Sequence, residues 1–454
     1  MQQELENYLA SHPGLRFIDL LLHDLNGVDR GKRVDLASAR GTLANGLLLP
    51  GSMFALDVPG QTVQATGLGF DEGDADRPCL PVPGSLVEVP WLDHGVAQAQ
   101  LTMHERNGQP FSCDPRHLLQ RVLARFAPLG LTPVVALELE FYLIDRQLDG
   151  SGLPQPPVSP LTGRREHRTQ INSMLDLDAF STVLAQIDRA CHVQRVPSTT
   201  ALAEYGPGQF EVNLAHSADA LTACDQAVRF KRIVKCVARH HGMDATFLAK
   251  PYADMAGSGL HLHVSMGDAA GRNVFAADDP LGSPQMRHAA AGLLGTMADG
   301  MAIFAPLSNS WRRFRSEAYV PLTADWSVNN RGAALRVPVS DAANRRLEHR
   351  VAGADANPYL VMSWVLGGVL KGLAEQRAPR APLEGNPYGG AGVHGEDLPR
   401  YWPTALDQFT TSVFARELLG PELHRLYGIV KRHELDEFSQ QVTAGEIATL
   451  LPAL

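Results

Sequence analysis

Apolar and polar positions alternate through VVALELEFYL, residues 134–143, with a period of two, which predicts a strand. One face collects Val134, Ala136, Glu138, Glu140 and Tyr142, the other Val135, Leu137, Leu139, Phe141 and Leu143. Successive side chains of a strand point to opposite faces, so Glu138 and Glu140 are near neighbours. Their charges repel, and burying either one is costly. The pattern recurs three times. QFEVNLAH (209–216) sets Phe210, Val212 and Leu214 against Gln209, Glu211 and Asn213. SGLHLHVSM (258–266) sets Leu260, Leu262 and Val264 against His261, His263 and Ser265. RRLEHRV (345–351) sets Leu347, His349 and Val351 against Arg346, Glu348 and Arg350. Any one such segment reads ordinarily as a half-exposed strand with a solvated face. Four together, each choosing Glu, His or Arg, point to a shared polar interior.

The rest of the pattern frames those strands. LRFIDLLLHDLNGVDRGKRVDL (15–36) predicts two strands around an Asn26-Gly27 turn. A Gly-, Pro- and Asp-rich stretch with short apolar runs continues to about Glu105, giving a small β-rich N-terminal domain, 1–106, before a large domain, 107–454. In the latter, CDPRHLLQRVLARFAPLG (113–130) predicts a helix capped by Asp114, with Pro115 at its first position and Gly130 closing it. YLVMSWVLGGVLKGL (359–373) is too short and too glycine-punctuated to span a membrane and predicts a buried helix. Two long Pro/Gly/Arg-rich loops, 145–170 and 376–400, have the length of functional lids. Helices are expected after them, ending in an amphipathic helix and a packed tail.

Composition narrows the function. The 454 residues are 44% hydrophobic and 20% charged, an ordinary globular composition, and the formal net charge of −9 argues against a nucleic-acid binder. The five cysteines (Cys79, Cys113, Cys191, Cys224, Cys236) show no CxxC spacing and read as free thiols of a reducing compartment. With an acidic, polar opening segment, MQQELENYLASH, they lead to the expectation of a cytoplasmic protein with no membrane association. Hard divalent cations want several carboxylate oxygens, and arginine forks match phosphate or carboxylate oxygens. The strands supply the first. NSWRRFRSEAYVP (309–321), with Arg312, Arg313 and Arg315, and NNRGAALRVPVS (329–340), with Arg331 and Arg336, supply the second. The His261-Leu-His263 pair has a rival reading, a barrel metallohydrolase, but such sites usually carry the pair on an early strand with further histidines.

Six segments taken in order, LELEFYL, EYGPGQFEVNL, KPYADMAGSGLHLHVS, NSWRRF, NNRGAALRVPV and RRLEHRVAGADANPYL, resemble the glutamine synthetase superfamily, and the likeness runs from about residue 14 to 435. The resemblance implies an α+β fold: an N-terminal β-grasp-like domain and a large glutamine-synthetase-type α/β catalytic domain with a curved antiparallel sheet. It also implies a homo-oligomer of stacked rings, commonly a dodecamer, with active sites between subunits. Position by position, it makes Glu140, Glu204 and Glu211 ligands of one metal and Glu138, His261 and Glu348 ligands of a second. Mg²⁺ or Mn²⁺ suits a lone imidazole among oxygens, with at least two ions per site. His263, Ser265, Arg331 and Arg346 are carried toward ATP, and Gly257, Arg313 and Arg350 toward glutamate. Arg336 is carried toward the phosphates, with Arg313, Arg336 and Glu348 as the groups acting in the chemistry. The reaction implied is phosphorylation of a γ-carboxylate followed by displacement of phosphate by an amine, with the loops at 145–170 and 309–321 as candidates for closure.

Ammonia-using members of the superfamily carry an aspartate in an N-terminal turn and a glutamate on a flap. Here the turn reads LPGSMFALD, with Pro50 at the aspartate position, and the flap reads RSEAYVP, with Tyr319 at the glutamate position and Glu317 two residues away. Ala256 stands where an asparagine grips glutamate. Losing both acids removes a pocket for a small cation and favours a larger amine, and LNGVDRGKRV, PGSMFALDV and RPCLPVPGSL look most like γ-glutamylpolyamine synthetases of the putrescine-utilisation type. A glutamine synthetase using ammonia and a non-catalytic relative are the alternatives. Glu317, Glu348 and Asp57 are equal candidates for taking the amine proton.

Overall fold

The computed structural model describes residues 1–168, 171–389 and 395–454. The expected hairpin forms: Phe17–His23 pairs antiparallel with Asp29–Asp35, Phe17 opposite Asp35 and His23 opposite Asp29. Its connection is longer than a two-residue turn, because the Asp24 carboxylate accepts from the Asn26 and Val28 N–H groups, both at 2.9 Å, and folds residues 24–28 around itself. The N-terminal sheet runs Asp29–Asp35, Phe17–His23, Val96–Met103, Asp76–Pro81, Leu47–Pro50, with Phe17–His23 parallel to Val96–Met103. The short strand Val87–Glu88 pairs beside it.

The second sheet carries the alternating segments. Its order is Trp326–Val328, Leu335–Val337, Leu347–His349, Leu260–Gly267, Thr132–Asp145, Gln209–Leu214, Ser198–Ala203, and Met243–Thr246 pairs with the far end of Thr132–Asp145. Every pairing is antiparallel except that of Trp326–Val328 with Leu335–Val337. The apolar faces of these strands, Leu137, Leu139, Phe141, Phe210, Leu260, Leu262, Val264 and Leu347 among them, are buried in one hydrophobic cluster with the helices Ala220–His240 and Pro358–Glu375. That burial of one face turns the other, ionisable face into a single surface. The mixed sheet is no parallel barrel, which removes the structural basis for the metallohydrolase reading.

Buried polar contacts lock the N-terminal sheet to the helices. Asp225 accepts two hydrogen bonds from Arg116, at 2.8 and 2.9 Å, and one from the Tyr359 hydroxyl at 2.6 Å, and Gln100 donates to the same hydroxyl at 2.7 Å. Asn357 caps the Pro358–Glu375 helix and donates to the Asp24 and Leu25 carbonyls.

Two expectations need correction. The α-helix from Pro115 ends at Ala124 instead of running to Gly130, because Pro128 has no N–H to donate to the Ala124 carbonyl; a 3-10 turn, Ala127–Leu129, carries the chain on, and Gly130 closes it in the left-handed region. The C-terminal tail is not packed: the helix Ala444–Leu450 buries none of its residues, and Val442, Leu451 and Leu454 are exposed. The buried helix at 359–373 forms as expected, and no helix of the described residues is long and apolar enough to cross a membrane. All five cysteines are free. Parts of both long loops, 169–170 and 390–394, lie outside the described residues.

Candidate active site

Register converts the four alternating patterns into rows across the sheet. Glu138 stands opposite His261 on one side and Asn213 on the other, and Glu140 stands opposite Glu211. In the next row His263 faces Glu348, which faces Arg336. Side chains directly opposite on one face are close enough to interact, and like charges so placed destabilise. Three sets of ligating atoms gather, each within 4.8 Å: Glu140, Glu204 and Glu211; Glu138, Glu211 and His261; and Glu138, His263 and Glu348. The first set is the trio that the family resemblance assigned to one ion. The second assigned set is divided: Glu138 meets His261 together with Glu211, and meets Glu348 together with His263.

The reason is visible in the ion pairs. Glu348 is drawn toward guanidinium groups, with Arg336 donating to its Oε2 at 2.6 Å and Arg350 to its Oε1. Burial would raise its pKa, but Arg350, His263 and His261 outweigh it and hold the carboxyl at about 2. Glu138 is held well below the usual carboxylate range too. Burial is overcome there by hydrogen bonds to His261 Nδ1 at 3.2 Å and His263 Nε2 at 2.8 Å.

The trio behaves in the opposite way. Burial first, then the neighbouring Glu138, Glu140 and Glu204, push the Glu211 carboxyl up to about 9. Burial and Glu140 push Glu204 up to about 7. Among the described residues none of the three forms an ion pair with arginine or lysine; Glu140 accepts from the Gly259 N–H at 2.8 Å and Glu211 from Asn213 at 3.1 Å. A knot of oxygens whose carboxyls are pushed up by burial and by one another's charge is a donor set that a hard divalent cation relieves.

Arg313 lies under this face and is buried. It donates to the Val351 carbonyl at 2.7 Å and the Arg350 carbonyl at 3.3 Å. The short turn that carries it, Ser310–Arg313, is fixed by the Ser310 hydroxyl donating to Asp355 at 2.6 Å. Gly257 and Gly259 admit it. A Cβ on Gly257 would stand 2.6 Å from the Ala249 carbonyl oxygen and 2.8 Å from Arg313 Cγ, and one on Gly259 would stand 2.9 Å from Arg313 Nη2. Arg346 donates to His263 Nδ1 at 3.2 Å, Arg350 to the Arg331 carbonyl at 3.0 Å, and Arg336 also to Asn329 at 3.0 Å. Ser265, two residues beyond His263 on its strand, is half-buried opposite Val134. The strand's apolar parity sends His349 away from the site: its ring packs 4.5 Å from that of Phe304, and burial, with His261 and Arg313 nearby, pushes it down to about 3, so it is neutral.

Of the three candidate proton acceptors, Asp57 is occupied as a turn holder, accepting from the Gly60 and Gln61 N–H groups at 2.8 and 2.7 Å. Glu348 is clamped by two arginines, and Glu317 is exposed on the flap. Sequence reasoning passed over two further groups. The Tyr142 hydroxyl donates to the Ala256 carbonyl at 2.9 Å, and Gln209 joins two loops by accepting from the Gly206 N–H and donating to the Gly257 carbonyl, both at 3.0 Å. The signal was present: Tyr142 shares its face with Glu138 and Glu140, and Gln209 shares its face with Glu211.

An α+β chain whose sheet presents crowded carboxylates beside a row of arginines is built as a phosphoryl-handling, cation-dependent enzyme. Residues 112–450 match the family described as glutamine synthetase, catalytic domain, and the chain belongs to the glutamine synthetase family. It is 42% identical to γ-glutamylputrescine synthetase PuuA of Escherichia coli strain K12, over 99% of this chain and 94% of that one. It is 30% identical to a glutamate–isopropylamine ligase of a Pseudomonas species, over 94% of this chain and 93% of the relative. A solved structure, a GmaS/ADP complex, superposes with a TM-score of 0.86 at 30% identity, covering 99% of each chain. Ligases of this family use ATP and divalent metal ions.

Proposed function

We propose that the protein is an ATP-dependent ligase that joins the γ-carboxylate of glutamate to an organic amine. The observation that carries this reading is one sheet face bearing both the crowded trio and the arginine row, while Pro50 and Tyr319 stand where ammonia-using relatives place acids. Relatives of similar length that act on putrescine and isopropylamine support it.

On this reading Glu140, Glu204 and Glu211 hold one divalent cation, Mg²⁺ or Mn²⁺, and Glu138, His261 and Glu348 a second, with His263 close enough to join it. Such ions, when bound, neutralise charge on the phosphoryl oxygens. The chain's own residues do the rest. Arg313 and Arg350 orient glutamate beside Gly257. His263, Ser265, Arg331 and Arg346 face the nucleotide, and Arg336 stabilises the charge that grows on the transferred group. A γ-carboxylate oxygen attacks the terminal phosphorus of ATP, ADP leaves, and γ-glutamyl phosphate forms. The amine nitrogen then attacks the acyl carbon, orthophosphate leaves with the bonding pair, and the surplus amine proton passes to a nearby carboxylate. Closure of the loops at 145–170 and 309–321 keeps water from the acyl phosphate.

The remaining parts of the reading concern the whole assembly: a 1–106 domain and a 107–454 catalytic domain, a cytoplasmic homododecamer, and active sites shared between subunits. Phosphate release should be measured with ATP, glutamate and, in turn, ammonium, putrescine, spermidine, ethanolamine and simple monoamines. At least one organic amine should exceed ammonium in kcat/KM. Ammonium outranking all of them would reject the amine preference in favour of glutamine synthesis, and no ATP turnover with any would favour a non-catalytic relative.

A further inference from the structure

Arg313 is 5% exposed, and its guanidinium donates to two neutral carbonyls, those of Val351 and Arg350. A cation taken that far out of water needs opposite charge close by. Glu140 is one such charge: the Cβ that Gly259 lacks would stand 2.9 Å from Arg313 Nη2 and 3.4 Å from Glu140 Oε1. Glu140 belongs to the crowded trio, so a cation bound there takes up its charge. The second is Asp355, which the turn carrying Arg313 reaches directly. The wholly buried Ser310 hydroxyl donates to Asp355 Oδ2 at 2.6 Å and accepts from the Leu307 N–H at 3.1 Å. Asn309, the preceding residue, is clasped independently, accepting from the Lys250 N–H at 2.8 Å and donating to the Lys250 carbonyl at 2.9 Å. Asp355 Oδ1 is buried and has no hydrogen-bond partner among the described residues. The backbone leaves room for it, since a Cβ on Gly353 would stand 2.4 Å from that oxygen. A buried acceptor without a bond is costly, and the charges around Asp355 offset the cost. They are Arg313 and Lys231, a buried residue of the Ala220–His240 helix that donates to the Ala356 carbonyl at 2.9 Å. Buried charges thus alternate in sign from that helix to the trio: Lys231, Asp355, Arg313, Glu140.

We propose that Asp355 is a positioning residue for recognition of the acidic substrate: through Ser310 it fixes the turn that carries Arg313, and its charge balances that guanidinium once the trio is committed to a cation. Asp355 itself touches neither substrate nor metal; it acts through Arg313. This inference rests on the amine-ligase reading above, in which Arg313 orients glutamate.

The test is steady-state kinetics of the intact enzyme with glutamate, ATP and the amine it turns over fastest, in wild type, Asp355→Asn, Ser310→Ala and Arg313→Gln. Asp355→Asn keeps an oxygen for Ser310 and removes the charge, whereas Ser310→Ala keeps the charge and removes the bond. Each should raise KM for glutamate about tenfold while KM for ATP stays within about twofold of wild type. A role confined to holding the fold together would not separate the two substrates. Ser310→Ala, the smaller change, carries the same expectation should Asp355→Asn fail to fold. Equal losses for glutamate and ATP, or an unchanged KM for glutamate in both variants, overturn the positioning role. Arg313→Gln separates the two failures: an unchanged KM for glutamate there overturns the reading of Arg313 itself.

Discussion

Adding a divalent cation to the metal-free protein should expel a little over one proton per active site near neutral pH, and the number follows from the crowded trio. Carboxylate oxygens within 4.8 Å of one another repel by roughly 3–4 kcal/mol per pair at an effective dielectric of about 20. With burial, that repulsion takes Glu211 to about 9 and Glu204 to about 7. At about pH 7.5 such groups are roughly 97% and 25% protonated, and a bound cation needs both ionised, so about 1.2 protons leave. Titration calorimetry with Mn²⁺ in buffers of different ionisation enthalpy reads that number as the slope of observed heat against buffer enthalpy. In Glu211→Gln the slope should fall to about 0.3 or less. The sign also fixes the pH dependence. The folded-state pKa values lie above the unfolded value, so stability of the metal-free protein falls as pH rises from about 4.5 toward 9. Cation affinity rises over the same window and levels off above it. A release below about 0.3 protons in wild type, or an affinity indifferent to pH between about 5.5 and 8.5, would refute the picture of repulsion relieved by a cation.

Glu138→Ala should lower kcat by about a thousandfold or more while leaving a folded oligomer by size-exclusion chromatography and circular dichroism; near-normal turnover would mean that the ligand assignment is wrong. Gly257→Ala drives a methyl group into the Ala249 carbonyl and Arg313, and should raise KM for glutamate about tenfold with a smaller effect on KM for ATP. Arg336→Lys loses the guanidinium that donates to Glu348 and Asn329, so kcat should drop by about a hundredfold despite the retained charge, and an equal rate would show that the fork geometry is irrelevant.

Which side chains share a face was legible in the sequence, because alternation is a property of the strand backbone. Glu138 with Glu140, His261 with His263, and Glu348 with its flanking arginines follow from parity alone. Which residues stand opposite one another was not, because register depends on pairing between distant segments. Nothing within LELEFYL says that Glu140 will face Glu211 rather than Asn213. Glu204 is harder still: it lies just past the strand Ser198–Ala203, outside any alternating run, and only the family resemblance drew attention to it. Tyr142 and Gln209 were visible by parity and passed over, because neutral groups on a charged face attract less notice than acids. The helix end at Ala124 was also legible, since Pro128 stands four residues on.

The two halves of the site solve the problem of buried charge in different ways. Glu138 and Glu348 are compensated from within, by His261, His263, Arg336 and Arg350, and stay ionised without help. Glu140, Glu204 and Glu211 have no arginine or lysine ion pair among the described residues, and the carboxyls of Glu204 and Glu211 are pushed up to about 7 and about 9 instead. A cation entering the first half must compete with guanidinium and imidazole groups already in place, whereas one entering the second displaces only protons. On the assignment proposed above, the trio is therefore the site whose affinity keeps climbing toward pH 9, since it must ionise Glu204 and Glu211, whereas neither carboxyl of the other site is raised in this way. Glu211 belongs to the trio and also gathers with Glu138 and His261, so ionising it to hold a cation is felt in both halves. The two sites are coupled through that shared carboxylate row, and a titration that fits two independent sites with parallel pH dependence would contradict the asymmetry.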